Sequence, residues 1–142
     1  MHPEFWGPSG WRFLHSITFQ YPMNPTVDDK AHFKEFFNSL KYVIPCQKCA
    51  YHYNKHMLKY PIDGSLDSRD SLVGWLINVH NEVNKSLGKR EYSHQEVIDT
   101  YKDEMDNVLG RVSLTNIIIL IFVLVFLYLF TTGRIRVTQN IL

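Results

Sequence analysis

The sequence predicts an all-α fold, a bundle of short amphipathic helices followed by one helix apolar enough to cross a bilayer. Three observations carry this. Apolar residues recur at intervals of three and four. No segment alternates convincingly at period two. Residues Val112 to Thr132 read VSLTNIIILIFVLVFLYLFTT, with no charge between Arg111 and Arg134. A chain of 142 residues has room for one compact domain and little else. Lys+Arg is 15 and Asp+Glu is 14, a net charge of +1, which argues against a nucleic-acid protein held by phosphate contacts. Charged residues at 20% and apolar residues at 45% exclude a disordered, solvating chain. Two cysteines exclude a disulfide-stapled scaffold and a four-thiolate zinc site.

The elements follow in order. Trp11, Leu14, His15 and Thr18 lie at i, i+3, i+4 and i+7, one face of a first helix that Pro22 ends. A second helix runs from Asp28 to about Tyr42, with Ala31, Phe33, Phe36, Phe37 and Leu40 as its apolar stripe and Thr26 as cap. Pro45 precedes a third, from about Cys46 to Leu58, and the turn Pro61–Ser65 follows it. A fourth spans about Arg69 to Leu87, capped by Ser68, with Lys85 in its last turn and Gly88 as the expected C′ residue. The capping box Ser93-His94-Gln95-Glu96 opens a fifth, which carries Val97, Ile98, Tyr101, Met105 and Val108. Roughly 20 apolar residues at about 1.5 Å rise then span the hydrocarbon core of a bilayer. The expected organisation is a domain over 1–111, a transmembrane helix over 112–132 and a short polar tail over 133–142. The opening Met1-His2-Pro3-Glu4 is neither basic nor followed by an apolar run, so no secretory signal is expected. An anchor so near the C-terminus favours tail-anchoring with the domain in the cytosol, which Arg134 and Arg136 oppose by the positive-inside rule.

The sharpest chemical signal is Pro45-Cys46-Gln47-Lys48-Cys49, a CxxC at the start of a helix. Two cysteines at i and i+3 on a first turn can close a disulfide. The helix dipole, its orphan N–H groups and Lys48 all stabilise a thiolate on Cys46. A metal reading takes Cys46, Cys49, His52 and His56. Ten residues along one helix, roughly 15 Å, separate the outer two, too far for bonds of about 2.0–2.3 Å to one zinc, so a ligand from elsewhere would be needed. No metal site is therefore assigned. The alternative kept open is a membrane-anchored helical scaffold with a CxxC-based metal site, and a dithiol adaptor without a cofactor is a third reading. The fourth helix crowds Trp75, His80, Asn81, Asn84 and Lys85 into few turns. Asn is a poor mid-helix residue. Several together suggest that a polar ligand is read there, or that this is a solvated outer face.

In order and spacing these pieces resemble the Erv/ALR-type FAD-dependent sulfhydryl oxidases. The matching residues are Trp11-x-x-Leu14-His15 with Tyr21-Pro22, then Pro45-Cys46-x-x-Cys49-x-x-His52-Tyr53, then Trp75-x4-His80-Asn81-x-Val83-Asn84-x-x-Leu87-Gly88-Lys89. The opening, with Trp6-Gly7, looks most like the compact members encoded by large cytoplasmic DNA viruses, which would put the chain in a virion or a host endomembrane. The resemblance implies a four-helix bundle with a short fifth helix, holding FAD, and a homodimer. It implies that Cys46 is the outer, attacked sulfur and that Cys49 lies against the flavin. It assigns Gly7, Trp11, His15, Cys49, His52, His80, Asn81, Val83, Asn84, Lys85, Leu87, Lys89 and Tyr101 to cofactor binding. Tyr101 stands where the family often has Trp. Electrons would pass from a dithiol protein through CxxC and FAD to dioxygen, giving hydrogen peroxide. Both cysteines being used in the site, with no shuttle pair on a tail, a small thioredoxin-like relay protein is expected as partner.

Overall fold

The computed structural model describes residues 1–133, and it is helical, with no strand among them. Five α-helices follow in order: α1 Pro3–Phe19, α2 Val27–Val43, α3 Gln47–Lys59, α4 Arg69–Ser86 and α5 His94–Thr131, with a 3₁₀ turn at Ile62–Ser65 between α3 and α4. The chain divides into two compact units, Met1–Val97 and Ile98–Leu142. Arg134 and Arg136 lie outside the described residues.

Most helix ends are built as local chemistry dictates. Thr26 Oγ accepts the Asp29 N–H at 3.1 Å, and Asp29 Oδ2 accepts the Thr26 N–H at 2.8 Å. This reciprocal cap stabilises a helix start by about 1 kcal/mol. Ser68 caps α4 in the same way through the Ser71 N–H. At the far end of α4, Gly88 adopts φ 66°. The Lys89 N–H then reaches the Asn84 carbonyl at 2.8 Å and the Gly88 N–H reaches the Lys85 carbonyl at 3.1 Å. That is a Schellman ending, which glycine favours because it has no Cβ to strain. Ser93 and Glu96 cap α5 reciprocally.

Two elements differ from expectation. The first helix begins at Pro3, two turns before its periodic face, because Pro3 occupies its first turn, where no N–H is needed. Pro8 then sits inside it and removes one helix hydrogen bond. The fifth helix is not short. It runs through residues 111 and 112 without a break for 38 residues, about 57 Å. Nothing in that stretch stops a helix: Gly110 alone weakens it by about 1 kcal/mol, and Thr115 Oγ satisfies itself by donating to the Arg111 carbonyl at 2.9 Å. By length and composition α5 can cross a membrane, and most apolar side chains of residues 114–130 are exposed.

In the first unit α4 is the central element, packed against α1, α3 and the 3₁₀ turn, while α2 packs on α3. The core gathers Tyr21, Phe37, Tyr53, Met57, Ile62, Leu72, Trp75, Leu76 and Val79. Trp75 meets Phe37 edge-on at 5.0 Å. Its indole N–H donates to the Tyr60 carbonyl at 2.8 Å. The buried hydroxyls of Tyr21 and Tyr53 donate to the carbonyls of Leu66 and Phe37, so the aromatic core leaves these polar tips paired.

Candidate active site

The two cysteines form a disulfide, Cα to Cα 5.2 Å. Cys46 is itself the N-cap of α3, and its sulfur accepts the Cys49 N–H at 3.2 Å. No acidic residue stands in the first turn. A thiolate released at Cys46 therefore meets a backbone donor, the positive end of the helix and the Lys48 charge. A sulfur already in a disulfide is no thiolate ligand, which favours the redox reading of CxxC over the metal reading.

A second cluster joins α1 and α4. The Trp11 and His80 rings stack at 3.8 Å with 7° between planes. His15 Nε2 lies 3.1 Å from His80 Nδ1. His15 is fully buried. Burial, then the neighbouring His80, pushes its pKa down to about 3. Burial, then the Lys89 ammonium, pushes His80 down to about 4. Both rings are thus neutral at pH 7. Trp11 and His80 make a flat, uncharged, polarisable stack, and the buried His15 ring is tilted to them by 40° and 38°.

This pair makes stability depend on pH. Unfolded, each imidazole titrates near its ordinary value of about 6.5. As pH falls below that value the unfolded chain takes up protons that the native pair refuses. Stability present above pH 6.5 is then lost towards pH 4, at no more than about 1.4 kcal/mol per pH unit for each histidine. The unfolding midpoint should drop steeply between pH 6.5 and 4.5, and His80→Asn should flatten that drop. Parallel profiles for parent and variant would show the pair does not titrate this way.

Residues 8–102 match the Erv1/Alr family. This chain belongs to that family. It is 47% identical over 100 residues to a probable FAD-linked sulfhydryl oxidase of Acanthamoeba polyphaga mimivirus, covering 70% of each chain. It is 33% identical over 100 residues to the mitochondrial FAD-linked sulfhydryl oxidase of Saccharomyces cerevisiae, 70% of this chain but 52% of that one, so it spans about half the length of the yeast protein. The structure of the FAD-binding domain of Erv1 from Saccharomyces cerevisiae superposes with a TM-score of 0.67 at 33% identity, over 72% of this chain and 96% of that one.

The other residues singled out in this Erv1/Alr chain divide by environment. Asn84 is buried at the end of α4, with Val83 half-buried beside it. Lys85, Leu87 and Lys89 are exposed. Asn81 is engaged by the loop before α5: its Nδ2 donates to the Tyr92 carbonyl at 2.7 Å and its Oδ1 accepts the Tyr92 N–H at 3.0 Å. That clamp ties residues 88–93 to α4 and leaves Asn81 one amide hydrogen and one lone pair to spend elsewhere. Gly7 and His52 are partly buried on α1 and α3. Tyr101 lies on α5 in the second unit.

Two further residues carry buried polar atoms. Trp6 Nε1 and His56 Nε2 are buried with no hydrogen-bond partner among the described residues. A buried polar group without a partner is costly, about 1–3 kcal/mol. Only the spacing of these residues is legible in the sequence. Trp6 precedes Gly10 by four residues, and a Cβ on Gly10 would lie 3.2 Å from the indole, so the glycine admits the ring. Cys49, His52 and His56 fall at i, i+3 and i+7, one side of α3.

Proposed function

We propose that this chain is an FAD-linked sulfhydryl oxidase, with the Cys46–Cys49 disulfide as the group that accepts electrons from substrate thiols. The observation that carries the reading is that disulfide at the N-cap of α3, in a chain whose family relatives are named FAD-linked sulfhydryl oxidases. The residues fit the cofactor. The stacked, neutral Trp11–His80 surface suits a flat heteroaromatic ring. Trp6 Nε1 and His56 Nε2 are buried nitrogens in want of a partner, and FAD offers ring nitrogens, carbonyls and phosphate oxygens. Lys85 and Lys89 supply positive charge for its phosphates. Bound FAD supplies a two-electron acceptor that hands those electrons to dioxygen, with hydrogen peroxide as product.

The chain's own part is thiol–disulfide exchange. A substrate thiolate attacks Cys46 Sγ. The Cys46–Cys49 bond breaks, and its electron pair leaves on Cys49 Sγ. A second substrate thiolate attacks the substrate sulfur of the mixed disulfide and expels Cys46 as a thiolate. The Cys49 N–H and the helix terminus receive that charge, which makes Cys46 a good leaving group. The substrate gains a disulfide, and the two cysteines gain two electrons. Cys49 lies on the same side of α3 as His52 and His56, and it is the sulfur assigned to face the cofactor. The apolar stretch of α5 anchors the enzyme in a membrane.

The test is direct. The purified full chain should be yellow, carry about one FAD per chain, and consume dioxygen when given dithiothreitol. It should resist alkaline extraction from membranes, whereas a chain ending at residue 111 should be released. A colourless folded protein, or one without thiol-dependent oxygen uptake, refutes the enzyme reading. Release of the full chain by alkali refutes the anchor.

A further inference from the structure

On the opposite side of α3 from Cys49, His52 and His56 lies a surface that the chemistry above leaves without a task. Gln47, Ala50, Tyr51 and Asn54 line it, at i, i+3, i+4 and i+7, and with Lys41, Tyr42 and Ile44 from the end of α2 they border a shallow groove of about 490 Å³. Two of the lining residues, Ile44 and Gln47, stand two positions before and one position after Cys46 in the chain. The groove's lining holds two tyrosines and one lysine, Lys41, with further lysines nearby in the sequence. Tyr42 is 80% exposed and Tyr51 is 67% exposed, an unusual state for two large rings beside a reactive disulfide. Between residues 36 and 62 the sequence has four lysines, Lys41, Lys48, Lys55 and Lys59, and no carboxylate. Lys59 is held by Glu82. Among the described residues Lys41, Lys48 and Lys55 have no carboxylate partner, and the Lys41 ammonium lies over the Tyr42 ring at 5.1 Å.

We infer that this groove is the docking site for the dithiol substrate, and that it selects an extended, acidic segment with an aromatic or aliphatic side chain next to the reactive cysteine. The inference rests on the oxidase reading above and names the substrate class for that site. Four arguments carry it. The groove is lined by chain neighbours on either side of Cys46, whose sulfur the incoming thiolate must reach. Attack requires the incoming sulfur to approach in line with the S–S bond, which an extended exposed segment permits and a folded surface obstructs. Three unpaired cations with no local anion complement carboxylates on the partner, and they draw in the thiolate itself. Tyr42 and Tyr51 supply rigid contact area for an apolar neighbour at little entropic cost. The face towards Cys49 stays with the cofactor, so substrate and cofactor address the disulfide from opposite sides of one helix.

The experiment compares two synthetic Cys-x-x-Cys peptides, one flanked by Asp, Glu and Phe, the other by Lys and Ser, as substrates of the full chain in detergent micelles. The acidic peptide should have a kcat/KM about tenfold higher at low salt, with the advantage shrinking as ionic strength rises. Lys41→Glu/Lys55→Glu should cancel or reverse that preference while still oxidising the basic peptide, which shows the variant is folded. Lys48 is left in place because it lies between the cysteines. A labelled acidic peptide with both cysteines replaced by serine should bind the parent at least tenfold more tightly than the double variant, a reading independent of turnover. Equal kcat/KM for the two peptides, or a preference untouched by the charge reversal, overturns the docking site. So does a variant that changes only the oligomeric state, since the groove would then seat a second copy. Failure to oxidise dithiothreitol as well as both peptides would count against the oxidase reading, and the serine peptide would still decide whether the groove binds acidic segments.

Discussion

Cys49→Ser is expected to lower thiol-dependent oxygen uptake by about a thousandfold or more, equivalent to at least about 4 kcal/mol of lost transition-state stabilisation, with FAD still bound. In the proposed roles, oxidation of a dithiol uses the Cys46–Cys49 bond as acceptor, and a serine at 49 removes both that bond and the sulfur on which its electron pair leaves. The N-cap of α3 is made by the Cys46 sulfur, which the substitution leaves in place. The variant should therefore keep its colour. Cys46→Ser should be as inactive, but for another reason: the attacked sulfur is gone while Cys49 stays as a thiol. The two are told apart with a labelled thiol reagent. The Cys46 left in Cys49→Ser, a thiolate stabilised at the helix terminus, should react faster near neutral pH than the Cys49 left in Cys46→Ser. Oxygen uptake within tenfold of the parent in either variant would contradict the assigned roles.

The second large effect is structural. Trp75→Ala should cost about 3–5 kcal/mol of stability, against the 5–15 kcal/mol typical of a domain. Trp75 is nearly buried, stands edge-on to Phe37, and carries the hydrogen bond to the Tyr60 carbonyl. Alanine leaves a cavity where α2, α3 and α4 meet, and it leaves that carbonyl without its donor. Trp75→Phe keeps most of the volume and should lose about 1–2 kcal/mol, chiefly for the missing N–H. Because α4 also carries His80 and Asn84, the alanine variant should shed FAD more readily on dilution. Thermal melts of the full chain in micelles, followed by circular dichroism and flavin fluorescence, measure both. A Trp75→Ala melt within a degree or two of the parent would show that the tryptophan is not part of the core.

How far the chain could be read from its letters differs from element to element. Caps made by residues three apart were legible, because their chemistry is local: Thr26 with Asp29, Ser68 with Ser71, Ser93 with Glu96. So was the glycine ending of α4. The start of α1 was not. Proline reads as a breaker, and only the structure shows Pro3 in the first turn and Pro8 tolerated within. The run-through of α5 was missed for a related reason. Ser113, Thr115 and Asn116 mark a change of polarity, but a change of polarity does not stop a helix.

On α4 the crowd of polar residues was visible as a crowd, and its division was not. His80 turns to Trp11 and His15, Asn81 to the backbone of Tyr92, and Asn84 into the protein. Trp75, one of that crowd, packs in the core. Helical periodicity gives the side on which a residue stands, whereas its partner, 11 or 65 positions away, is fixed by tertiary contacts. The side of α3 shared by Cys49, His52 and His56 followed from spacing. That His56 is buried with an unpaired nitrogen did not.

The hydrogen bond between His15 and His80 has one more consequence. Two neutral imidazoles that share a single bridging hydrogen cannot choose their tautomers independently. If His15 Nε2 carries the hydrogen, its Nδ1 is a lone pair and His80 must bear its own hydrogen on Nε2. If His80 Nδ1 carries it, both outer ends invert. The couple therefore always turns one donor and one acceptor outward, and passing one proton along the bridge must be matched by exchange at both far nitrogens. A ligand that engages either far nitrogen thereby sets the hydrogen-bonding sense of the other, two rings away, with no change in net charge.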